Sequence, residues 1–352
     1  MSAVFEEFIE YVKIGNLQKV IELTETNQVD ASAQNNDAII SAALSGYLKV
    51  VKYLSKLPNV DASAQNNHAI IYTANNGHLE VVQYLLTLPN VDVSAQDNLA
   101  IIAAAHNGHL EVVQYLLTLP NVDASARNNL AIIWAARNGH LEVVQYLLTL
   151  SNVDASARNN DAITWAAHNG HLAVVQYLSK LPNADASARN NQAIIYAAYN
   201  GHLEVVEYLS KLPNVDASAQ NNAAIIDASE NGHLEVVQYL LTLPKVDASA
   251  RNNEAIIWAA QHGHLEVASM LLYFELKVTS SLSDASYKCY HQLLLSKLRP
   301  ITHKIAVSLT EFPTPLIIEI IEQSVDFAIY IPYHIKWNMV VAIKHPKNTK
   351  KY

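Results

Sequence analysis

Asp123-Ala-Ser-Ala-Arg-Asn-Asn-Leu-Ala-Ile-Ile-Trp-Ala-Ala-Arg-Asn-Gly-His-Leu-Glu-Val-Val-Gln-Tyr-Leu-Leu148 returns, little changed, every 31 residues. Its aspartate stands at Asp30, Asp61, Asp92, Asp123, Asp154, Asp185, Asp216 and Asp247. Its glycine stands at Gly15, Gly46, Gly77, Gly108, Gly139, Gly170, Gly201, Gly232 and Gly263, and these nine are all the glycines in the 352-residue chain. A fixed period of this length belongs to stacked arrays. There each unit buries its apolar face on its neighbours and no single large core is needed.

Within one period, Ala131, Ile132, Ala135 and Ala136 predict a short helix with small residues on its packing side. Asn128-Asn129 ahead of it can cap its first turn. Asn138-Gly139 ends it, because glycine accepts the left-handed backbone that a tight interhelical turn needs. Leu141, Val144, Leu147 and Leu148 then fall at helical spacing and predict a second helix. The polar Asp-Ala-Ser-Ala-Arg-Asn-Asn connector leads into the next copy. Residues 3–29 hold a degenerate first copy, with Glu6, Glu7 and Glu10 where later copies carry Ala or Ile. An end repeat needs such a face, since one side of it meets water. The expected organisation is an all-α array over residues 1–278, with a cap repeat at 1–29 and eight repeats at 30–278, then a small helical domain with a basic tail at 279–352.

Ala135-Ala136-Arg137-Asn138-Gly139-His140-Leu141-Glu142-Val143-Val144, with Leu147-Leu148, resembles the ankyrin repeat. The likeness covers roughly residues 3–278 and implies a helix-pair solenoid of about nine repeats. Two departures are plain. Leu130-Ala131-Ile132-Ile133 stands where the family has Thr-Pro-Leu-His, and the connector lacks the family's glycine. With a unit of 31 residues against the family's usual 33, a β-hairpin finger and a plain turn both remain open for the connector. This short variety resembles arrays of intracellular bacteria and of giant viruses that live in amoebae.

The copies can be compared with one another. Three positions drift while the framework stays fixed, and their offsets of 0, 4 and 7 place them on one face of the first helix. The second of them carries Tyr72, Trp134, Trp165, Tyr196 and Trp258, and the third carries His106, Arg137, His168 and Tyr199. A connector position switches only between Gln and Arg and supplies Arg127, Arg158 and Arg189. The ankyrin resemblance implies that this stripe is the concave groove in which a protein partner binds. Trp, Tyr and Arg are also the types that most often carry interface energy, commonly ~2 kcal/mol or more each. The competing reading is that the rings pack beneath the connectors as filler.

Composition narrows the remaining classes. Residues 279–352 carry a balance of +4, which leaves −13 of the net −9 on the array, a poor ligand for phosphate backbones. The single cysteine, Cys289, permits no intrachain disulfide and suits a reducing interior. The acidic first residues lack the blocks of a signal peptide, and no apolar run has the length of a membrane span. A soluble cytoplasmic protein is expected, or one in a host cytosol if it is a secreted effector. Seven of the fifteen histidines form Gly-His steps. Their spacing, one per repeat, is too wide for a shared metal, so they are expected to bond backbone groups at a helix start. The tyrosine ladder from Tyr53 to Tyr239 is expected to pack, with its hydroxyls in water. No residue set suggests catalysis, a metal or a cofactor.

The tail offers one further motif. Phe312-Pro313-Thr314-Pro315-Leu316 through Ile320-Ile321, followed by Lys336-Trp337-Asn338, resembles an F-box, with Pro313, Leu316, Ile320 and Trp337 as its matching positions. That likeness implies docking to a cullin-type ubiquitin ligase adaptor. A helical cap closing the last repeat, and membrane association through Leu316 to Ile343, are the alternatives. The leading expectation is a non-enzymatic scaffold that binds a protein partner, a host protein if the chain is an effector. The second is a substrate receptor for a cullin ligase.

Overall fold

Each glycine-punctuated period folds as two helices, the first longer than the second in every period but the last. The computed structural model describes residues 3–26 and 28–279. Cys289 and the F-box-like Pro313, Leu316, Ile320 and Trp337 lie outside the described residues. The chain divides into two compact units, the first ending at Arg189 and the second beginning at Asn190.

The first unit runs through α1 (Ala3–Lys13), α2 (Leu17–Glu25), α3 (Ala33–Leu44), α4 (Leu48–Leu54), α5 (Ala64–Asn75) and α6 (Leu79–Leu85). It continues with α7 (Ala95–His106), α8 (Leu110–Leu116), α9 (Ala126–Arg137), α10 (Leu141–Leu147), α11 (Ala157–His168) and α12 (Leu172–Leu178). The division falls inside α13 (Ala188–Tyr199). The second unit then holds α14 (Leu203–Leu209), α15 (Ala219–Glu230), α16 (Leu234–Leu240), α17 (Ala250–Gln261) and α18 (Leu265–Thr279). Among the described residues there is no strand.

The core is built between neighbouring pairs. Helix α9 lies against α7, α11 and its own partner α10. Ala131, Ile132, Ala135 and Ala136 of α9 are fully buried, as are Val143, Val144 and Leu147 of α10. The alanines let first helices approach closely, while each buried Ile, Val or Leu contributes about 1.5–3 kcal/mol. In α1, Phe5, Phe8, Ile9 and Val12 are buried, whereas Glu6, Glu7 and Glu10 are exposed. The acidic face of the degenerate first copy therefore meets water.

The connectors are turns, and they are built differently from the asparagine cap expected at the sequence level. Arg127, Asn128 and Asn129 have φ of 52°, 58° and 62°, three successive residues in the left-handed region, before the right-handed part of α9 begins. The same triplet is left-handed in α3, α5, α7, α11, α15 and α17. Asparagine tolerates this backbone better than other L-residues, so Asn-Asn does here what the missing connector glycine would do. Neither asparagine caps the helix that follows. Instead the buried Asn129 Oδ1 accepts the backbone N–H of Asp154 in the next repeat at 2.8 Å. Asp154 Oδ1 in turn accepts the N–H of Ser156 at 2.9 Å and its hydroxyl at 2.8 Å. This is an Asx turn that fixes the connector. The relay recurs from Asn36 to Asp61, from Asn67 to Asp92 and from Asn98 to Asp123. It recurs within the second unit from Asn191 to Asp216 and from Asn222 to Asp247.

The tyrosine ladder packs as expected, but its hydroxyls do not all simply reach water. Tyr53, Tyr84 and Tyr239 bond the hydroxyls of Thr24, Ser55 and Ser210 in the preceding repeat, at 2.7, 2.8 and 2.7 Å. Where that position is leucine, as at Leu86, no hydroxyl is present to pair.

Candidate functional site

The site is built on the outward face of the first helices, just before each helix gives way to its glycine turn. In the first unit the third drifting position brings His106, Arg137 and His168 to the ends of α7, α9 and α11. One turn earlier, Trp134 and Trp165 stand on the same face of α9 and α11. Both tryptophans are half-buried, which separates them from the core residues on the opposite side.

These five side chains form one continuous stack. Arg137 Cζ lies over the rings of Trp134 and Trp165, 4.8 Å from each centroid. His106 meets Trp134 edge-on at 5.0 Å, and His168 lies 5.2 Å from Trp165. A cation over an indole gains about 0.5–1 kcal/mol at an exposed site and more as water is removed. Backbone geometry is fixed from below. Asn138 Nδ2 donates to His106 O at 2.8 Å, and Asn169 Nδ2 donates to Arg137 O at 2.6 Å. Asn138 Nδ2 also lies 2.9 Å from His106 Nδ1. Burial holds the His106 pKa below its ordinary value, and the positive charges of His140 and Arg137 push the same way.

The connector arginines have a different occupation. Arg127, Arg158 and Arg189 each donate through Nη2 to the connector carbonyl one repeat back, at Gln96 (2.6 Å), Arg127 (2.7 Å) and Arg158 (2.6 Å). Glutamine at this position does the same work over a shorter reach, Gln65 to Asn35 O and Gln96 to Asn66 O. Arg189 Nη2 also stands 2.8 Å from Asp161 Oδ1 as an ion pair. Arg127 lies 3.8 Å from Asp97. The connector row thus ties one repeat to the next, while Arg137 belongs to the aromatic stack.

The Gly-His histidines are also ties. His78, His109 and His140 place Nε2 at 3.1, 2.9 and 3.0 Å from Leu44 O, Asn75 O and His106 O. Each acceptor sits at the end of the preceding repeat's first helix. The bond is therefore to a helix C-terminus, not to the helix start expected from the sequence. Among the described residues, no group of three or more His, Cys, Asp or Glu could hold a metal ion.

A family model described as ankyrin repeats in three copies matches residues 8–97, 70–159, 132–221 and 194–281. The chain belongs to the ankyrin-repeat family. Comparison with curated proteins finds no match. Ankyrin repeats are an interaction fold and not a catalytic one, so a protein partner is the ligand class that membership carries. No described helix of this ankyrin protein is long and apolar enough to cross a membrane.

The remaining stripe residues are scattered. In the first ankyrin unit Tyr72 is exposed and stacks on His68 at 5.0 Å. In the second, Tyr199 is 45% exposed, and its carbonyl accepts His233 Nε2 at 2.9 Å. Tyr196 accepts Gln192 Nε2 through its hydroxyl at 2.6 Å. Trp258 is 36% exposed and lies 5.7 Å from the His262 ring. The rings of the stripe are therefore open to solvent to varying degrees. Reading the sequence singled out these rings but missed Asn138 and Asn169, which orient the stack. Their only signal was the recurrence of asparagine from Asn76 to Asn231 beside a drifting position.

Asp227 occupies the tryptophan phase in the second unit and carries a pH signature. Burial, then the nearby Glu230 charge, raises its pKa to about 6, with Arg251 opposing. The unfolded value is about 4. The folded state thus favours the neutral acid. The resulting stabilisation is complete below about pH 4 and is lost as pH rises through about 6. Asp227→Asn, which fixes the neutral form, is expected to stabilise the protein at pH 7 by about 1 kcal/mol after allowance for solvent access. It should leave stability near pH 4 unchanged. Thermal melts of both proteins across that pH range check this, and equal melting at pH 7 would refute it.

Proposed function

We propose that this ankyrin protein is a non-enzymatic scaffold that binds a protein partner on the first-helix face between Tyr72 and His168. The observation that carries the reading is the Trp134–Arg137–Trp165 stack, with Arg137 Cζ 4.8 Å from both ring centroids. Aromatic and arginine side chains held in place before binding lose little freedom on association, which is what makes such groups effective anchors. The alternation of framework and stripe supports the same reading. Framework residues repeat because every junction makes the same bonds, and the stripe is released from that duty. The likeness of the 31-residue unit to arrays of intracellular bacteria and giant viruses makes a host protein the first partner to seek.

The test is affinity capture from a eukaryotic cell lysate with the full chain and with Trp134→Ala/Trp165→Ala as baits. Preys retained by the full chain and lost with the double variant are the expected result. Preys indifferent to both tryptophans would overturn the placement of the site. A third bait lacking residues 279–352 addresses the substrate-receptor reading. A cullin ligase adaptor captured only by the intact chain would establish that reading in place of the simple scaffold.

A further inference from the structure

Among the arginines of the stripe and connector row in the first unit, Arg137 differs from the rest in what its guanidinium touches. Arg127, Arg158 and Arg189 each spend an Nη2 donor on a backbone carbonyl of the preceding repeat. Arg127 and Arg189 also have carboxylates beside them, Asp97 and Asp161. Arg137 has neither. Its guanidinium lies over Trp134 and Trp165, and its N–H groups find no acceptor among the described residues. The neighbours at the same helix phase, His106 and His168, bring no acid to it.

An arginine in this state is half of a recognition pair. Stacking on two rings leaves the planar fork of donors as the unsatisfied part of the group, and a carboxylate matches that fork with two parallel hydrogen bonds. The surroundings favour a single carboxylate over a polyanion. The array residues 1–278 carry −13, which repels extended phosphate chains and leaves the Arg137 region as a local cationic spot.

We infer that Arg137, clamped between Trp134 and Trp165, is a carboxylate receptor that takes one Asp or Glu side chain of a linear partner segment, with the exposed parts of the two indoles accepting the apolar residues beside it. The inference rests on the reading of this face as a protein-binding site and names the chemistry that the partner brings to it. Trp134 and Trp165 act here as positioning residues for the guanidinium as well as contact surface.

The test uses the full chain and a display library of randomised short peptides. The wild-type protein is expected to select peptides that share an Asp or Glu at one position. Changing that residue to Asn or Gln in a selected peptide should weaken binding roughly tenfold or more. Arg137→Gln should weaken the acidic peptide to a similar degree, yet barely affect the amide peptide, so that the two changes are not additive. Arg137→Lys, which keeps the charge but not the fork, should fall between. The peptide-side substitution needs no change to the protein, so a variant that folds poorly cannot mask the result. Selected peptides without a shared acidic residue, or with binding indifferent to Arg137→Gln, would overturn the inference. If such peptides are still lost with Trp134→Ala/Trp165→Ala, the binding face stands and only its carboxylate chemistry falls. Peptides indifferent to all three residues would overturn both. Failure to select any peptide would also overturn the inference, since a linear acidic segment would then not be the ligand.

Discussion

Asn129→Ala is expected to destabilise the protein by about 2–3 kcal/mol, because one substitution removes two things. The first is the acceptor for Asp154 N–H, bonded at 2.8 Å across the junction to the next repeat. The second is the tolerance of asparagine for its backbone, with φ at 62°. The Asn129 side chain is only 7% exposed, so water cannot readily replace the lost partner. Asn129→Gly separates the two contributions. Glycine keeps the left-handed backbone without strain and loses only the acceptor, so it should lie about 1 kcal/mol above the alanine variant in stability. Urea denaturation of the three proteins measures both differences. A glycine variant as stable as the wild type would mean that the junction bond contributes nothing. Identical alanine and glycine variants would mean that the left-handed connector is unstrained.

A comparable loss is expected for Gly77→Ala, again from two sources, of which one can be removed. Gly77 has φ of 76°, which strains any Cβ-bearing residue. A Cβ there would also stand 2.5 Å from Nδ1 of His109, whose ring lies across the glycine to reach Asn75 O. Strain and overlap together should cost about 2–4 kcal/mol. His109→Ala alone gives up one tie and is expected to cost about 1 kcal/mol. In the double variant the overlap is gone and the strain remains, so its loss should be smaller than the sum of the singles by 1 kcal/mol or more. Additive losses in the denaturation cycle would show that the glycine is required for its backbone alone.

The phase of the glycines made the helix pairs legible, and the alternation of Ala, Ile, Val and Leu located the core. The connector was harder to read, for a physical reason. Asparagine before a helix serves equally as a side-chain cap and as a left-handed backbone residue, and the letters Asn128-Asn129 do not distinguish these roles. Bonds that run 25 residues ahead leave no local trace either. Their only sign is that donor and acceptor are both invariant among copies. The Gln/Arg position did carry a usable clue. Those two residues share a long stem and a terminal N–H donor, which Glu lacks, and a backbone carbonyl is what such a donor seeks. In the aromatic stripe, the rings stood out by type and phase. The contact that gives them meaning, Arg137 between two tryptophans on successive repeats, depends on helix spacing that only the folded chain provides.

The relay from connector asparagine to the next aspartate is anonymous. Asn36 bonds Asp61 in the first unit as Asn222 bonds Asp247 in the second, and neither junction contains anything addressed to a particular neighbour. A gene of this kind can gain or lose a whole period by recombination between its copies without one interface being redesigned. Length then becomes a heritable variable that changes in fixed increments, and each increment adds or removes one rung of the aromatic stripe. The same anonymity burdens the nascent chain. A late-arriving repeat finds an acceptable docking face on the wrong predecessor, with an intervening period left looped out. Only the few contacts that differ between junctions, such as Arg137 over Trp165, discriminate one neighbour from another, so the order in which repeats leave the ribosome helps to keep them in sequence.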